Sequence, residues 1–200
     1  MFSPEGKVFK VLELIGNYCY LNILWLVSSL PLFTIFASTA AMAAVVKAWS
    51  NRDEPPITKT FFSNFKKYFF KSSLIGVLQT IVAIILIGDY FVVWNMEGAI
   101  KYGLFPIFVL LGLMFIFVSS YIYPLLIDLD LPVIQTIRKA VYLSVTRPTT
   151  PTITLMFTCF IIFICTFVKF LPFLCAFSIV SFVNYQLAMR TIRKAYQIAI

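Results

Sequence analysis

The sequence predicts an all-α fold: a polytopic helical membrane bundle with five or six transmembrane elements and amphipathic helices at the inner interface. Three observations predict it. Between Tyr18 and Leu187 long apolar stretches dominate, and 74–94, 104–127, 152–168 and 171–189 approach or exceed the roughly 20 residues that cross a bilayer core. The composition is 61% hydrophobic, 18% aromatic and only 12% charged, with a mean hydropathy of +0.95, whereas an ordinary soluble domain has roughly 25% charged residues. The charges that remain gather between the apolar stretches, so residues 1–200 read as one integral membrane domain.

Residues 1–16 form the first element, an amphipathic helix with Val8, Phe9, Leu12 and Ile15 on one side and Lys7, Lys10 and Glu13 on the other. The next stretch, 17–49, is too long for one untilted span, and Pro31 divides it near the middle. Basic flanks at Lys7, Lys10 and Lys47 favour a short or re-entrant hairpin hinged at Pro31, with both ends inside. The alternative is one long kinked span with the amino terminus outside. The apolar run from Tyr18 to Phe36 exceeds the roughly 7 to 15 residues of a secretory signal core, so an uncleaved element is expected. Phe2 stands where myristoylation would need glycine.

A second amphipathic helix is expected over 57–72, where Phe61, Phe62, Phe65, Tyr68 and Phe69 recur with helical spacing beside Lys59, Lys66 and Lys67. It leads into a hairpin of spans 74–94 and 104–127. A third, over 131–147, carries Ile134, Ile137 and Val141 against Gln135, Arg138 and Lys139 and leads into the hairpin 152–168 and 171–189. Pro56, Ile57, Thr60 and Phe61 match Pro132, Val133, Thr136 and Ile137, which points to an internal repeat of surface helix plus hairpin.

Orientation follows from the basic residues, because short loops rich in Lys and Arg stay cytoplasmic. Arg52, Lys59, Lys66, Lys67 and Lys71 lie in one connection, Arg138, Lys139 and Arg147 in another, and Arg190, Arg193 and Lys194 near the carboxyl end. Lys101 and Lys169 stand alone in the alternate turns. The basic loops and the carboxyl terminus are therefore expected in the cytoplasm, with the chain crossing the membrane several times. The net charge of +8 is explained by topology and anionic lipid rather than by nucleic acid, since the bases flank membrane spans.

Catalytic chemistry finds little to use. There is no histidine, no GxxxxGK[ST] loop and no dinucleotide glycine pattern. Cys19, Cys159, Cys165 and Cys175 sit in apolar stretches with spacings that match neither a redox CxxC pair nor helical metal ligands. We expect no enzyme, no metal and no cofactor. Asp89, Asp128 and Asp130 lie near span ends rather than at mid-depth, which argues against an ion-coupled pump. Tyr123 and Pro124, near Asp128 and Asp130, read as an interface anchor and cap.

The polar residues inside the apolar stretches are Asn22, Thr34, Ser38, Thr39, Gln79, Ser119, Ser120, Asn184 and Gln186. They would hydrogen-bond between helices or line a path for a neutral, hydroxyl-rich solute. Phe61, Phe62, Phe65, Lys66, Lys67, Arg138 and Lys139 would meet the membrane interface or a partner.

Leu21, Asn22, Leu24 and Trp25, then Leu30, Pro31, Thr34 and the small residues Ala37 to Ala41, resemble the YesL-like family of bacterial membrane proteins. The likeness continues through Phe61, Phe62, Phe65 and Lys66 to Tyr123, Pro124, Arg147 and Pro148. The resemblance implies a multi-span protein whose relatives are often encoded beside carbohydrate ABC importers, hence a role accessory to sugar uptake, and it carries over no catalytic residue. Two readings stand. The chain forms or assists a path for saccharides, or it is a structural or regulatory protein that docks lipid or an importer permease or solute-binding protein. A homo-oligomer remains open.

Overall fold

A computed structural model describes residues 7–53, 55–167 and 175–196. Among these, seven α-helices follow one another: α1 (Lys7–Ser28), α2 (Ile35–Ser50), α3 (Ile57–Asn95), α4 (Ala99–Leu129), α5 (Val133–Thr146), α6 (Thr149–Phe167) and α7 (Phe177–Tyr196). A single 3-10 turn, Leu32–Thr34, precedes α2. Prolines set most of the boundaries: Pro31, Pro56 and Pro132 each stand immediately before a helical segment, where their missing N–H costs no internal bond. Gly98 supplies the positive φ of 94° that opens α4, and Asp130, at φ 43°, takes the left-handed conformation that closes it.

Four helical stretches are long and apolar enough to cross a membrane: Leu32–Ser50, Ile57–Asn95, Lys101–Leu129 and Thr149–Phe167. The all-helical membrane bundle stands as the sequence predicts. Its first hairpin does turn at Pro31. Tyr18 on α1 meets the Trp49 ring near the end of α2 at 5.1 Å, while Trp25 Nε1 donates to Thr39 Oγ1 at 3.1 Å, so α1 and α2 run antiparallel. The turn expected at Lys169 lies outside the described residues.

The amphipathic segments differ from expectation. Residues 57–72 and 74–94 form one 39-residue helix, α3, with no break at 73. Nothing in Lys71, Ser72 and Ser73 interrupts a helix, and the Ser72 hydroxyl donates to Tyr68 O within it at 2.7 Å. Residues 7–16 are likewise not separate, for α1 runs from Lys7 to Ser28 with Leu12 and Ile15 exposed, and the first six residues of the expected 1–16 helix lie outside the described residues. Phe61 and Tyr68, expected on lipid, are buried, whereas Phe62 and Phe70 face outward. In α5 the buried face is Thr136, Ala140, Leu143 and Ser144, and Ile134 and Val141 are exposed. The two helices differ in how they meet the core: on α5 the small residues Thr136, Ala140 and Ser144 turn inward with Leu143, whereas on α3 the rings of Phe61 and Tyr68 fill it.

The likeness between the Pro56 and Pro132 segments extends to the helix start that each makes. Thr60 N donates to Pro56 O and Thr136 N to Pro132 O, each at 3.0 Å. It then diverges, because α5 stops at Thr146 before Arg147 and Pro148.

The core lies toward the basic end. α2 contributes Ala40, Ala41, Ala44, Val45 and Val46, α3 Phe61, Tyr68 and Ile75, α4 Tyr121, Leu125 and Leu126, and α7 Tyr185, Ala188 and Ile192. The alanines of α2 let its backbone approach α3 closely, the route by which helices associate where lipid offers no competing hydrophobic drive. At Gly76 that approach is complete, since a Cβ there would overlap the Phe36 ring. Farther along, Val77, Ile84, Ile85 and Phe91 of α3 and Ile107, Leu110 and Ile116 of α4 are exposed, as lipid-facing positions should be.

Gly76→Val should lower the melting temperature in detergent, by overpacking worth about 1–3 kcal/mol. Gly88→Ala on the same helix has nothing within 4 Å of the new methyl and should leave it unchanged.

Candidate functional site: a polar pocket between the helices

Pro124 sits inside α4. Having no N–H, it cannot bond the carbonyl one turn earlier, which is that of Ser120. Asn184 of α7 fills the gap, its Nδ2 donating to Ser120 O at 3.0 Å. In turn the Thr154 hydroxyl of α6 lies 3.4 Å from Asn184 Oδ1. Three helices are thus joined through a carbonyl that a proline leaves open.

Beside this junction is a pocket of about 320 Å³, bounded by α1, α2, α4, α6 and α7. Its polar wall comprises Ser119, Ser120, Thr154, Thr158, Ser181 and Asn184. Trp25, Tyr123, Tyr185 and Phe177 supply aromatic faces, with Trp25 stacked on Phe177 at 4.6 Å between ring centroids. Ile116 and Phe177, both exposed, bring its rim to the lipid-facing surface. Most hydroxyls are committed: Thr39 donates to Ile35 O, Ser119 to Phe115 O, Ser120 to Ile116 O and Thr158 to Thr154 O. Each such oxygen can still accept a bond. The Tyr123 and Ser181 hydroxyls have no hydrogen-bond partner among the described residues and line the same space. The arrangement can hold a small neutral molecule by donor and acceptor contacts with an aromatic flank.

Of the polar residues singled out from sequence, Thr39 and Asn184 line this pocket together with Ser119 and Ser120. Gln79 reaches it indirectly, donating to Ser119 Oγ at 2.8 Å. The others do not converge there. Asn22 is buried at the α1–α7 contact, where the Ser178 hydroxyl donates to its Oδ1 at 3.5 Å. The Thr34 hydroxyl ties the Pro31 turn, within 2.6 Å of both Ser28 O and Pro31 O. Ser38 is buried with no partner for its hydroxyl among the described residues. Gln186 is half-buried on α7 away from the lining. Sequence reasoning missed Trp25, Thr154, Thr158 and Ser181 as lining residues and placed Tyr123 at the interface. The readable signal was the spacing of Thr150, Thr154 and Thr158, which puts three hydroxyls on one face of α6.

A second polar cluster lies at the basic end. Lys47 Nζ pairs with Asp128 Oδ1 at 3.1 Å and donates to Ile127 O at 3.2 Å. The Tyr185 hydroxyl donates to the same carboxylate at 3.3 Å. A lysine at the carbonyl end of α4 is favoured by the helix dipole. Just beyond, Asp130 receives Lys71 at 2.7 Å and Lys67 at 3.3 Å. The Lys71 hydrogen bond, reinforced by Lys67, holds the Asp130 carboxyl below its ordinary range against a smaller opposing effect of burial.

The interface residues divide. Phe61 is buried and Phe65 packs on the core, whereas Phe62, Lys66 and Lys67 face outward. On α5 Arg138 is exposed, and Lys139 Nζ lies 4.6 Å from the centre of the Tyr196 ring. No group of three His, Cys, Asp or Glu side chains that could hold a metal ion occurs among the described residues.

The family described as "Protein of unknown function, DUF624" matches residues 18–90, which cover the second half of α1, the Pro31 turn, α2 and most of α3. Three proteins of Bacillus subtilis (strain 168) are similar. "Uncharacterized protein YesV" is 30% identical over 142 residues, 69% of this chain and 68% of that protein. "Uncharacterized protein YteU" is 30% identical over 129 residues, 62% of this chain and 58% of the relative. "Uncharacterized protein YesL" is 29% identical over 133 residues, 64% and 62% respectively. The chain thus spans about three fifths of the length of the last two relatives. No solved structure matches it.

Lys47→Met should destabilise the fold more than Asp130→Asn, because the Asp128 carboxylate it abandons is only 19% exposed against 46% for Asp130. Detergent melting temperatures at neutral pH decide the order. Since its folded pKa is depressed, Asp130 contributes stability that is complete above about pH 4 and is lost as pH falls through the lower folded value. Asp130→Asn should therefore flatten the acid limb of the melting curve, and more so at low salt.

Proposed function

This chain belongs to the YesL-like DUF624 family, and from that premise we propose that it serves, without enzymatic activity, as an accessory or component of carbohydrate transport across the bacterial plasma membrane. The solute would sit in the pocket beside Asn184. The observation that carries this reading is a hydroxyl-lined, aromatic-flanked space within an otherwise apolar bundle, with Tyr123 and Ser181 uncommitted. Its volume of about 320 Å³ falls at the lower end of small-ligand sites, roughly 300–1,000 Å³. A saccharide offers hydroxyls that both donate and accept, which suits a wall of Ser, Thr and Asn oxygens, and apolar ring faces that suit Trp25 and Phe177. Among the described residues no carboxylate lines the space, so a neutral solute fits better than a cation. Positive-inside bias supports placing the basic end and the carboxyl terminus in the cytoplasm.

A second reading rests on a different surface. Thr58, Lys59, Phe62, Ser63 and Lys66 form a shallow open groove on the outer side of α3. Two cations flanking an aromatic ring suit an anionic lipid headgroup or an acidic patch on an importer subunit, in which case the protein would regulate or anchor rather than move solute.

The deciding assay is thermal stability in a zwitterionic, sugar-free detergent with a series of mono- and oligosaccharides. A saturable rise is expected for at least one. Tyr123→Phe should leave the unliganded melting temperature unchanged and weaken binding about 3- to 10-fold, the worth of one hydrogen bond. Absence of any saccharide response at millimolar concentration, combined with loss of lipid or subunit association in Lys66→Glu/Lys67→Glu, would favour the second reading.

A further inference from the structure

The long helix α3 provides a depth scale. From Leu74, the first exposed apolar residue above the Lys71–Asp130 pair, to Trp94 it rises roughly 30 Å, the thickness of the bilayer hydrocarbon. Tyr90, Trp94 and Lys101 gather at its far end, with Lys101 Nζ 5.3 Å from the centre of the Trp94 ring, a grouping typical of an aqueous interface. α6 reaches the same height. Gln79 bonds Ser119, Asn184 bonds Ser120 O, and Thr154 meets Asn184, so Thr154 is level with Gln79. Phe167 then stands roughly 20 Å above it.

α2 does not reach that height. At one end Lys47 joins Ile127 O, which also receives the Tyr68 hydroxyl, below the start of the hydrocarbon. At the other end Phe36 fills the notch at Gly76, roughly 3 Å above Leu74. The Pro31 turn follows at once. Its Leu30, Leu32 and Phe33 are 78%, 83% and 69% exposed, and no charged residue occurs from Leu14 to Val46.

We infer that the α1–α2 hairpin is re-entrant: it dips into the leaflet on the basic side, ends among the acyl chains at Leu30, Leu32 and Phe33, and returns, so that α2 does not cross although its length and composition would allow it. The chemistry of the tip fits acyl chains. Pro31 brings no N–H to satisfy, and the Thr34 hydroxyl closes onto Ser28 O and Pro31 O. Neighbouring amides are bonded within the turn, Ser29 N to Trp25 O at 2.9 Å and Thr34 N to Pro31 O at 2.8 Å. This inference is independent of whether the pocket binds a sugar.

The test uses the full chain in phosphatidylcholine–phosphatidylglycerol vesicles of both orientations, with each modified site read by peptide mass spectrometry so that the native cysteines stay. Met96→Cys and Lys66→Cys should react with a sulfonated maleimide from opposite faces. Leu32→Cys, and Leu30→Cys as a second position, should react from neither, while a diazirine carried on a phospholipid acyl chain labels Leu30–Phe33 of the unsubstituted protein. Modification of Leu32→Cys from the Met96 face would make α2 a full span and overturn the inference. Modification from the Lys66 face would mean the tip is not inserted, and absence of both labels would mean that protein rather than lipid covers it; either result also overturns it.

Discussion

Every backbone N–H and C=O that enters a bilayer must find a partner inside the protein, and this constraint governs how the helices are joined. Pro124 breaks the ladder of α4, and the carbonyl it frees is taken by Asn184 on α7, itself within reach of Thr154 on α6. Farther down, the carbonyl end of α4 is closed by Lys47 from α2. α4 is therefore the member to which the others are fastened. The pocket lies beside the same junction, with Pro124, Ser120, Asn184 and Thr154 all in its lining.

Two different forces hold the two ends of the molecule. Toward the basic end the alanines of α2, the buried Phe61 and Tyr121 and the Lys47–Asp128–Tyr185 cluster combine close packing with charge. Toward the far end, α3 and α4 touch through Gln79 and Ser119 and through the rings of Tyr90, Trp94 and Phe105, with most of their remaining surface given to lipid. Tyr123 lies between these regimes in a half-enclosed space, its hydroxyl without a hydrogen-bond partner among the described residues.

How far the sequence could be read follows from which of these forces leaves a local trace. Apolar length, proline punctuation and the alternation of basic connections are local, and they yielded the helical bundle, the hairpin at Pro31 and the starts of α3 and α5. The continuity of α3 through Lys71–Ser73 was hidden because charged residues there mimic a loop, although they only mark where the helix leaves the membrane. The direction of Phe61 and of the α5 stripe was hidden because helical spacing identifies a face without saying whether lipid or protein covers it. Among the pocket residues, Thr39 and Asn184 were visible as polar intrusions, but their meeting with Trp25 and Ser181 depends on helix registers that one sequence does not contain. Resemblance to a family added placement in a class and no chemistry.

The shape of the bundle has a mechanical consequence. At the Pro31 turn α1 and α2 stop near the height of Gly76, whereas α3, α4 and α6 continue beyond it. If the α1–α2 hairpin is re-entrant, the described helices take up more room in one leaflet than in the other, and lipids around them splay to fill the narrower side. In a flat bilayer that mismatch is elastic stress, relieved where the membrane bends toward the narrow end or where several such tapered bodies cluster, so the molecule's outline alone biases where in a cell envelope it comes to rest.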